Sequence, residues 1–310
     1  MPKATVVHIA EIAPGIRQIR LQPEVAMSTD FPPGGHLDLS LPNGLVRSYS
    51  LVPCQTPQQF EIAVLRESAS RGGSEYLHTQ LALGDQLTIS APKTTFRPIQ
   101  APTAVFFAAG IGVTPLISLA DQAWAQGLSV VFHYSVRAQS QAAYLDDLAS
   151  KPWGARIHVH DASRGERLDL AQALSSVPPE AAIYACGPAR YLTALEQLLD
   201  ARGSREQLFV ERFRQEDLQT GGAGLVVDCA QSGVTVEVGE DETILAALER
   251  SGIDVPYACE EGICGTCVTA VLEGQVDHRD TFLTPEERSS HRLIAVCCSR
   301  ALSNRLVLDL

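Results

Sequence analysis

Residues 259–267 read Cys259-Glu260-Glu261-Gly262-Ile263-Cys264-Gly265-Thr266-Cys267, and a further cysteine, Cys297, follows 30 positions after the last. The spacing C-x4-C-x2-C with a distant fourth thiol is that of a plant-type [2Fe-2S] loop. One loop wraps a compact cluster with three thiolates while the fourth arrives from elsewhere in the fold. Gly262 and Gly265 suit such a loop, because residues without a Cβ let the backbone bend sharply and bring N–H groups close to sulfur. Structural zinc is the competing reading. It commonly draws two C-x2-C pairs or Cys/His mixtures, and this stretch holds a single C-x2-C. Cys297 and Cys298 are adjacent; on a strand their side chains would point to opposite faces, so that only one reaches the cluster. Cys54, Cys186 and Cys229 stand alone and read as small buried hydrophobes.

The loop sits near the end of a 310-residue chain that is 45% apolar and 19% charged. That length predicts two or three domains, each able to bury a core. The net charge of -12 argues against nucleic acid as a partner. Residues 224–310 carry 15 Asp and Glu against 6 Arg and no Lys. An acidic module of this kind suits docking to a basic patch on a partner protein, or serves only as a solvated surface. No apolar run approaches the roughly 20 residues of a membrane-spanning helix. The N-terminus reads as a strand rather than a signal peptide. These features predict no membrane association and a cytoplasmic, thiol-reducing setting, in which closely spaced cysteines are ligands rather than disulfides.

The first hundred residues show short alternating segments at 5–9, 16–21, 36–41, 46–51, 60–65 and 86–90, separated by punctuations such as PPGG and PNG. They predict a small antiparallel β-barrel, interrupted by a helix from Ser74 to Leu83 closed by Gly84. From Thr103 strands and helices alternate, which predicts an α/β domain with a parallel sheet. Its first helix is expected to be capped by Thr114, with Pro115 at its first position and Gly127 at its end. Later helices are expected from Ala142, Leu168 and Ala189. The polar, glycine-rich run from Gln215 to Gly224 reads as a linker. Beyond it come two strands around a tight turn, a short amphipathic helix ended by Gly252, and a final strand, RLVLDL. The expected domains are 1–101, 102–215 and 224–310, joined by a linker at 216–223.

Two glycine-rich turns follow strands in the central domain: GIGVTP (Gly110, Gly112, Thr114, Pro115) and ACGP (Cys186, Gly187, Pro188). Turns at the C-terminal ends of parallel strands line the crevice where open α/β sheets bind ligands, and amides at a helix start suit a pyrophosphate. Each alone is also explained as an ordinary strand-to-helix turn. In the barrel, RSYS (Arg47 to Ser50) lies on a strand and SRGGS (Ser70 to Ser74) precedes the helix. Arg47 and Arg71 could hold a phosphate, with Gly72 and Gly73 adding backbone N–H groups. Surface arginines and a turn are the plainer reading of either motif alone.

Taken in order, RSYS, SRGGS, GIGVTP, ACGP and C-x4-C-x2-C span essentially the whole chain. They resemble the phthalate dioxygenase reductase type of ferredoxin-NADP reductase-like protein, a group that includes vanillate O-demethylase reductases. The resemblance implies an FMN-binding barrel, an NAD-binding domain and an α+β plant-type ferredoxin (β-grasp) domain. It implies FMN rather than FAD, with Arg47, Arg71, Gly72, Gly73 and Ser74 at the phosphate. By the same resemblance Ser48, Tyr49, Ala63 and Val64 contact the flavin, and Ser50 hydrogen-bonds near its N5. Thr114 and the ACGP turn bring the nicotinamide to that atom, and Phe213 covers part of the other flavin face. Cys259, Cys264, Cys267 and Cys297 become the iron ligands. Beyond the second strand of the central domain Arg137 stands alone as a basic group, which favours NADH over NADPH.

Electron counting gives the expected activity. NADH delivers two electrons at once, the flavin splits them, and the [2Fe-2S] cluster hands each to a partner, in such families the terminal oxygenase of a Rieske system. Glu260 and Glu261 are candidates for the face that partner sees. The alternatives are a reductase for another acceptor, such as a cytochrome P450, and a zinc-stabilised interaction protein.

Overall fold

The structure, a computed structural model, describes residues 2–24, 31–54, 56, 58–68, 70–214 and 220–310. It divides into two compact units, Met1–Phe213 and Arg214–Leu310.

In the first unit six strands close a barrel: β1 (Lys3–Ala13), β2 (Ile16–Pro23), β3 (His36–Ser40), β4 (Val46–Val52), β5 (Phe60–Leu65) and β6 (Gln86–Ile89), in the order β1-β2-β5-β4-β3-β6. Every pairing is antiparallel. These are the six segments whose period-2 patterning predicts strands. Alternation sends Ile19, Leu21, Leu39, Leu51, Phe60 and Ile62 inward, and closure leaves no sheet edge. The helix α1 (Gly73–Thr79) ends sooner than expected. Leu81 turns into the barrel core, and Ala82 N donates to Asp85 Oδ2 at 2.8 Å. Gly84, at φ +90°, belongs to the turn that enters β6 rather than to the helix end.

Next come β7 (Thr103–Ala109), α2 (Val113–Ala125), β8 (Ser129–Val136), α3 (Leu145–Ser150), β9 (Ile157–Asp161), α4 (Leu170–Ser175), β10 (Ala182–Cys186), α5 (Ala189–Ala201) and β11 (Leu208–Glu211). The strands form a parallel sheet in the order β11-β10-β7-β8-β9, as strand-helix alternation predicts. Thr114 does not cap α2. Gly112 holds the cap position after a 3-10 turn at Gly110–Gly112, and Thr114 Oγ1 donates back to Ile111 O at 3.0 Å. Pro115 is therefore the third helical residue. Tyr144, in the left-handed region at φ +59°, delays α3 to Leu145. The Asp169 side chain accepts from Gln172 N and sets the start of α4 at Leu170.

Barrel and sheet share apolar packing: Val52 and Ala63 of the barrel belong to one core with Val113, Leu116 and Ile117 of α2. Polar ties reinforce it. Gly34 N donates to Ser118 Oγ at 2.8 Å, and Glu61 Oε1 accepts from Tyr144 Oη at 3.1 Å and from Gln18 Nε2 at 2.8 Å. The expected boundary at residues 101 and 102 thus runs between two sheets of a single unit.

The second unit comprises β12 (Leu225–Cys229), β13 (Val234–Val238), α6 (Ile244–Arg250), β14 (Val268–Glu273), β15 (Val276–Asp277), α7 (Pro285–Ser290), β16 (Leu293–Ala295), β17 (Arg300–Ala301) and β18 (Arg305–Leu308). Its main sheet runs β13-β12-β18-β14-β16, with β15 and β17 as a separate ribbon. The β12–β13 hairpin, α6 and β18 are the predicted elements. The α7 helix carries a reciprocal capping box between Thr284 and Glu287 with Pro285 at its first turn, a start signal present in the sequence TPEE. Of the expected linker, 216–219 lie outside the described residues. Its C-terminal part is held in place: Gly221 O accepts from Arg279 Nη1 and Ala223 O from Arg300 Nη2, both at 2.6 Å.

Candidate functional site

At the C-terminal edge of the parallel sheet the two glycine turns meet backbone to backbone. A Cβ on Gly112 would lie 2.3 Å from Cys186 O and 2.7 Å from Gly187 N. A Cβ on Gly187 would lie 2.8 Å from Ala109 Cβ. Glycine is required at both places because β7 and β10 are neighbours whose turns must cross. The structure thus brings Gly110, Gly112, Thr114, Pro115, Cys186, Gly187 and Pro188 together. Arg137 is exposed at the same edge, just after β8.

The barrel strand β4 packs against α2, and β5 against the 3-10 turn at Gly110–Gly112. Along β4, Val52 joins the core shared with α2, so period-2 alternation puts Ser50 on that same side. At the other end of β4, Arg47 lies across the glycine loop. A Cβ on Gly73 would fall 2.7 Å from Arg47 Cγ, and Arg47 Nη2 donates to Arg71 O at 3.4 Å. Ser70 Oγ accepts from Gly72 N and from Ser74 Oγ, each at 3.1 Å. Arg47, Arg71, Gly72, Gly73 and Ser74 are therefore one group. Tyr49 adjoins it on β4, and burial pushes its phenol well above the ordinary value.

In the second unit Cys259, Cys264, Cys267 and Cys297 are all buried and are linked in a row, Cys264 to Cys259, Cys259 to Cys297 and Cys297 to Cys267. This holds the Cys259 and Cys267 thiols low and pushes the Cys264 and Cys297 thiols up. Such a set fits a cluster ligated by four thiolates. The loop around it depends on glycine. Gly262, at φ +67°, would place a Cβ 2.5 Å from Cys298 Sγ, and Gly265, at φ +73°, would place one 2.3 Å from the Phe282 ring. Cys297 and Cys298 lie in a turn after β16, not on a strand. In the turn Cys297 reaches the Cys259 and Cys267 thiols, while Cys298 Sγ lies 3.7 Å from Ala295 O. Among the described residues no three His, Cys, Asp or Glu side chains stand at single-ion ligand geometry.

Residues 227–302 match the 2Fe-2S iron-sulfur cluster binding domain family, which sets aside the zinc reading. Over the whole length the chain is 37% identical to vanillate O-demethylase oxidoreductase of Acinetobacter baylyi, covering 98% of each chain. The solved structure of phthalate dioxygenase reductase superposes with a TM-score of 0.72 at 31% identity, covering 99% of this chain and 97% of that one. The chain belongs to the phthalate dioxygenase reductase type. An intact type IV self-sufficient cytochrome P450 monooxygenase is also similar, with a TM-score of 0.87 and 37% identity over 100% of this chain but 41% of that one. The chain thus spans less than half the length of that protein.

The other residues expected at the site are placed as follows. Ser48 Oγ donates to Asp38 Oδ1 at 2.6 Å and is turned away from the glycine loop. Val64 sends its side chain into the barrel core, and its carbonyl bonds His78 Nε2 at 2.8 Å. Ala63, one position earlier, faces the sheet instead. Phe213 stands 37% exposed beyond β11. Cys186 and Cys229 are buried as expected, whereas Cys54 is half-buried. Glu260 is exposed, but Glu261 is 8% exposed, so its side chain is not part of a partner-facing surface.

One residue of the reductase escapes sequence reasoning. Glu211 ends β11 opposite Cys186 of β10, and its Oε1 lies 3.7 Å from Nδ1 of His36, which pairs with Ser50 across β3 and β4. That distance exceeds a hydrogen bond. Burial, rather than a partner, raises the carboxyl from 4.5 to about 8, and burial likewise lifts the Cys186 thiol. A raised acid keeps its proton in the folded state while the unfolded chain loses it, so its contribution to stability falls as pH rises from 4.5 to about 8. Glu211→Gln is accordingly expected to raise the unfolding temperature at pH 8 relative to the parent and to change it little at pH 5. An equal shift at both pH values would contradict the buried, protonated carboxyl.

Proposed function

We propose that this reductase passes electrons from NADH through FMN and its [2Fe-2S] cluster to the terminal, Rieske-type component of an oxygenase or demethylase. The reading rests on one observation above others: the strand bearing Arg47 to Ser50 packs directly on the helix that opens with the Gly110 to Pro115 turn. A phosphate cradle and a dinucleotide crevice therefore adjoin within one unit. When bound, FMN supplies the conversion from two-electron to one-electron transfer, and the cluster supplies a one-electron carrier.

The chain's own residues have the following parts. Arg47 and Arg71 hold the FMN phosphate as charged donors, with the Gly72 and Gly73 amides adding N–H groups. The α1 helix has only seven residues, so the guanidiniums rather than a helix dipole dominate there. Tyr49 and Ala63 pack beside the flavin, Ser50 hydrogen-bonds it, and Phe213 covers its remaining face. Ser48 and Val64 contribute through the strand backbone. Gly110, Gly112, Cys186, Gly187 and Pro188 let the dinucleotide approach the backbone closely, while Thr114 locks the turn through Ile111 and Pro115 rigidifies it. Arg137 flanks the ribose. Glu211 holds a proton at the back of the crevice. Cys259, Cys264, Cys267 and Cys297 bind the cluster. In this reading 1–101 bind FMN, 102–215 bind NADH, and the acidic 224–310 module docks the oxygenase in the cytoplasm.

The test is a visible spectrum of the protein as purified. NADH added without oxygen is expected to bleach both flavin and iron–sulfur absorption, with NADPH much slower. A colourless protein, or one bleached only by NADPH, overturns the proposal. Arg47→Ala is expected to weaken FMN retention by about tenfold or more, the scale of a charged hydrogen bond of ~1.5–3 kcal/mol. Flavin content after gel filtration measures it, and unchanged stoichiometry and affinity would sink that assignment. A second reading, delivery to a haem acceptor, is favoured by the similarity of this whole chain to part of the self-sufficient cytochrome P450. Turnover with a Rieske oxygenase against turnover with a cytochrome P450 separates the two.

A further inference from the structure

Three histidines outside the crevice share one face of the β8–β9 pair. His133 of β8 stands in register with His158 of β9, and His160 follows two positions later, on the same side of the strand. His133 Nδ1 and His160 Nε2 are 3.1 Å apart. Ring centroids are 5.2 Å apart for His133 and His158 and 5.4 Å for His133 and His160. Phe107 stacks on His133 at 4.9 Å, with an interplanar angle of 13°. His133 and His160 are half-buried and His158 is exposed, so the cluster opens to solvent.

We propose that His133, His158 and His160 form a binding site for a borderline divalent transition cation such as Ni2+ or Zn2+. Imidazole is the preferred nitrogen donor for these ions. Metal–nitrogen bonds of ~2.0–2.1 Å across the observed gap subtend roughly 100°, between the octahedral and tetrahedral ideals. On binding, the ring N–H that bridges the two nitrogens moves to the other nitrogen of its own ring, so that both facing lone pairs go to the cation. His158 is not yet converged with them, and its exposed side chain completes the set by rotating. Burial, together with the neighbouring histidines, holds His133 down at about 4, and burial lowers His160 as well. Both rings are therefore neutral near pH 7, without a proton competing for the lone pairs.

The site lies beneath the loop that bears Arg137. At the end of β9, Asp161 Oδ2 accepts from Gln139 N at 2.9 Å, and Ser163 N donates to Arg137 O at 2.8 Å. A cation joining β8 to β9 holds that loop's base rigid.

Untagged protein carrying its flavin and cluster is dialysed to equilibrium against Ni2+, and bound metal is counted by elemental analysis alongside a thermal melt. One equivalent per chain and a higher melting temperature are expected. His160→Gln and the exposed His158→Gln are each expected to weaken binding by at least about tenfold, since even outer-sphere partners of a metal cost that much. His158 is the exposed member and gives up only its ring contact with His133, so His158→Gln remains informative if the half-buried variant folds poorly. Failure to retain Ni2+ at about 1 mM, which corresponds to only ~4 kcal/mol of binding, overturns the proposal. Undiminished binding in His158→Gln, or in a folded His133→Gln/His160→Gln double variant, also overturns it.

Discussion

Cys264→Ser is expected to abolish the iron–sulfur absorption and electron delivery to a ferredoxin-type acceptor, while NADH still bleaches the flavin. The thiol is one of four gathered in a buried region, and it lies in the second unit, whereas the residues proposed to hold flavin and dinucleotide lie in the first. Even outer-sphere partners of a metal centre cost 10–100-fold when removed, so a missing ligand should lower acceptor reduction by at least ~100-fold. Cytochrome c reduction measures the output and anaerobic flavin bleaching the input. Equal loss of both in a folded variant would contradict the division of labour between the units.

Gly112→Ala is the second large effect. The added methyl would sit 2.3 Å from Cys186 O and 2.5 Å from its carbonyl carbon. Both are backbone atoms that cannot turn aside, so β7 and β10 would have to part at their C-terminal ends. Overpacking of this kind costs about 1–3 kcal/mol or more. The unfolding midpoint should fall by several degrees and the KM for NADH should rise. Gly110 is the matched control. It has φ +56° but nothing within 4 Å of a Cβ, so Gly110→Ala meets only the left-handed strain of ~1–2 kcal/mol. If the two variants melt alike, the crossing of the turns is not what glycine serves at 112.

What the sequence makes legible follows from how local the cause is. Ligand spacing in the 259–267 loop is a direct consequence of wrapping a cluster, and the six barrel strands follow from period-2 burial. Helix ends are less legible, because tertiary contacts move them: Leu81 is drawn into the barrel and cuts α1 short, and Tyr144 delays α3 by its backbone conformation. Thr114 looks like a cap because the 3-10 turn before it is invisible in one dimension. Only the Glu211 environment has no local signal at all, since it is created when β11 aligns beside β10 and His36 arrives from the barrel. The α7 helix is the opposite case, with its capping box written in four consecutive residues.

The placement of β18 bears on how the cluster is acquired. That strand is the middle member of its sheet, between β12 and β14, yet it follows every thiol ligand in chain order. On a ribosome adding about 5–20 residues per second, all four thiols are synthesised before the sheet that will bury them can close. Until residues 305–308 are made, that sheet lacks its middle strand. Closure of the sheet therefore comes after all four ligands have been made.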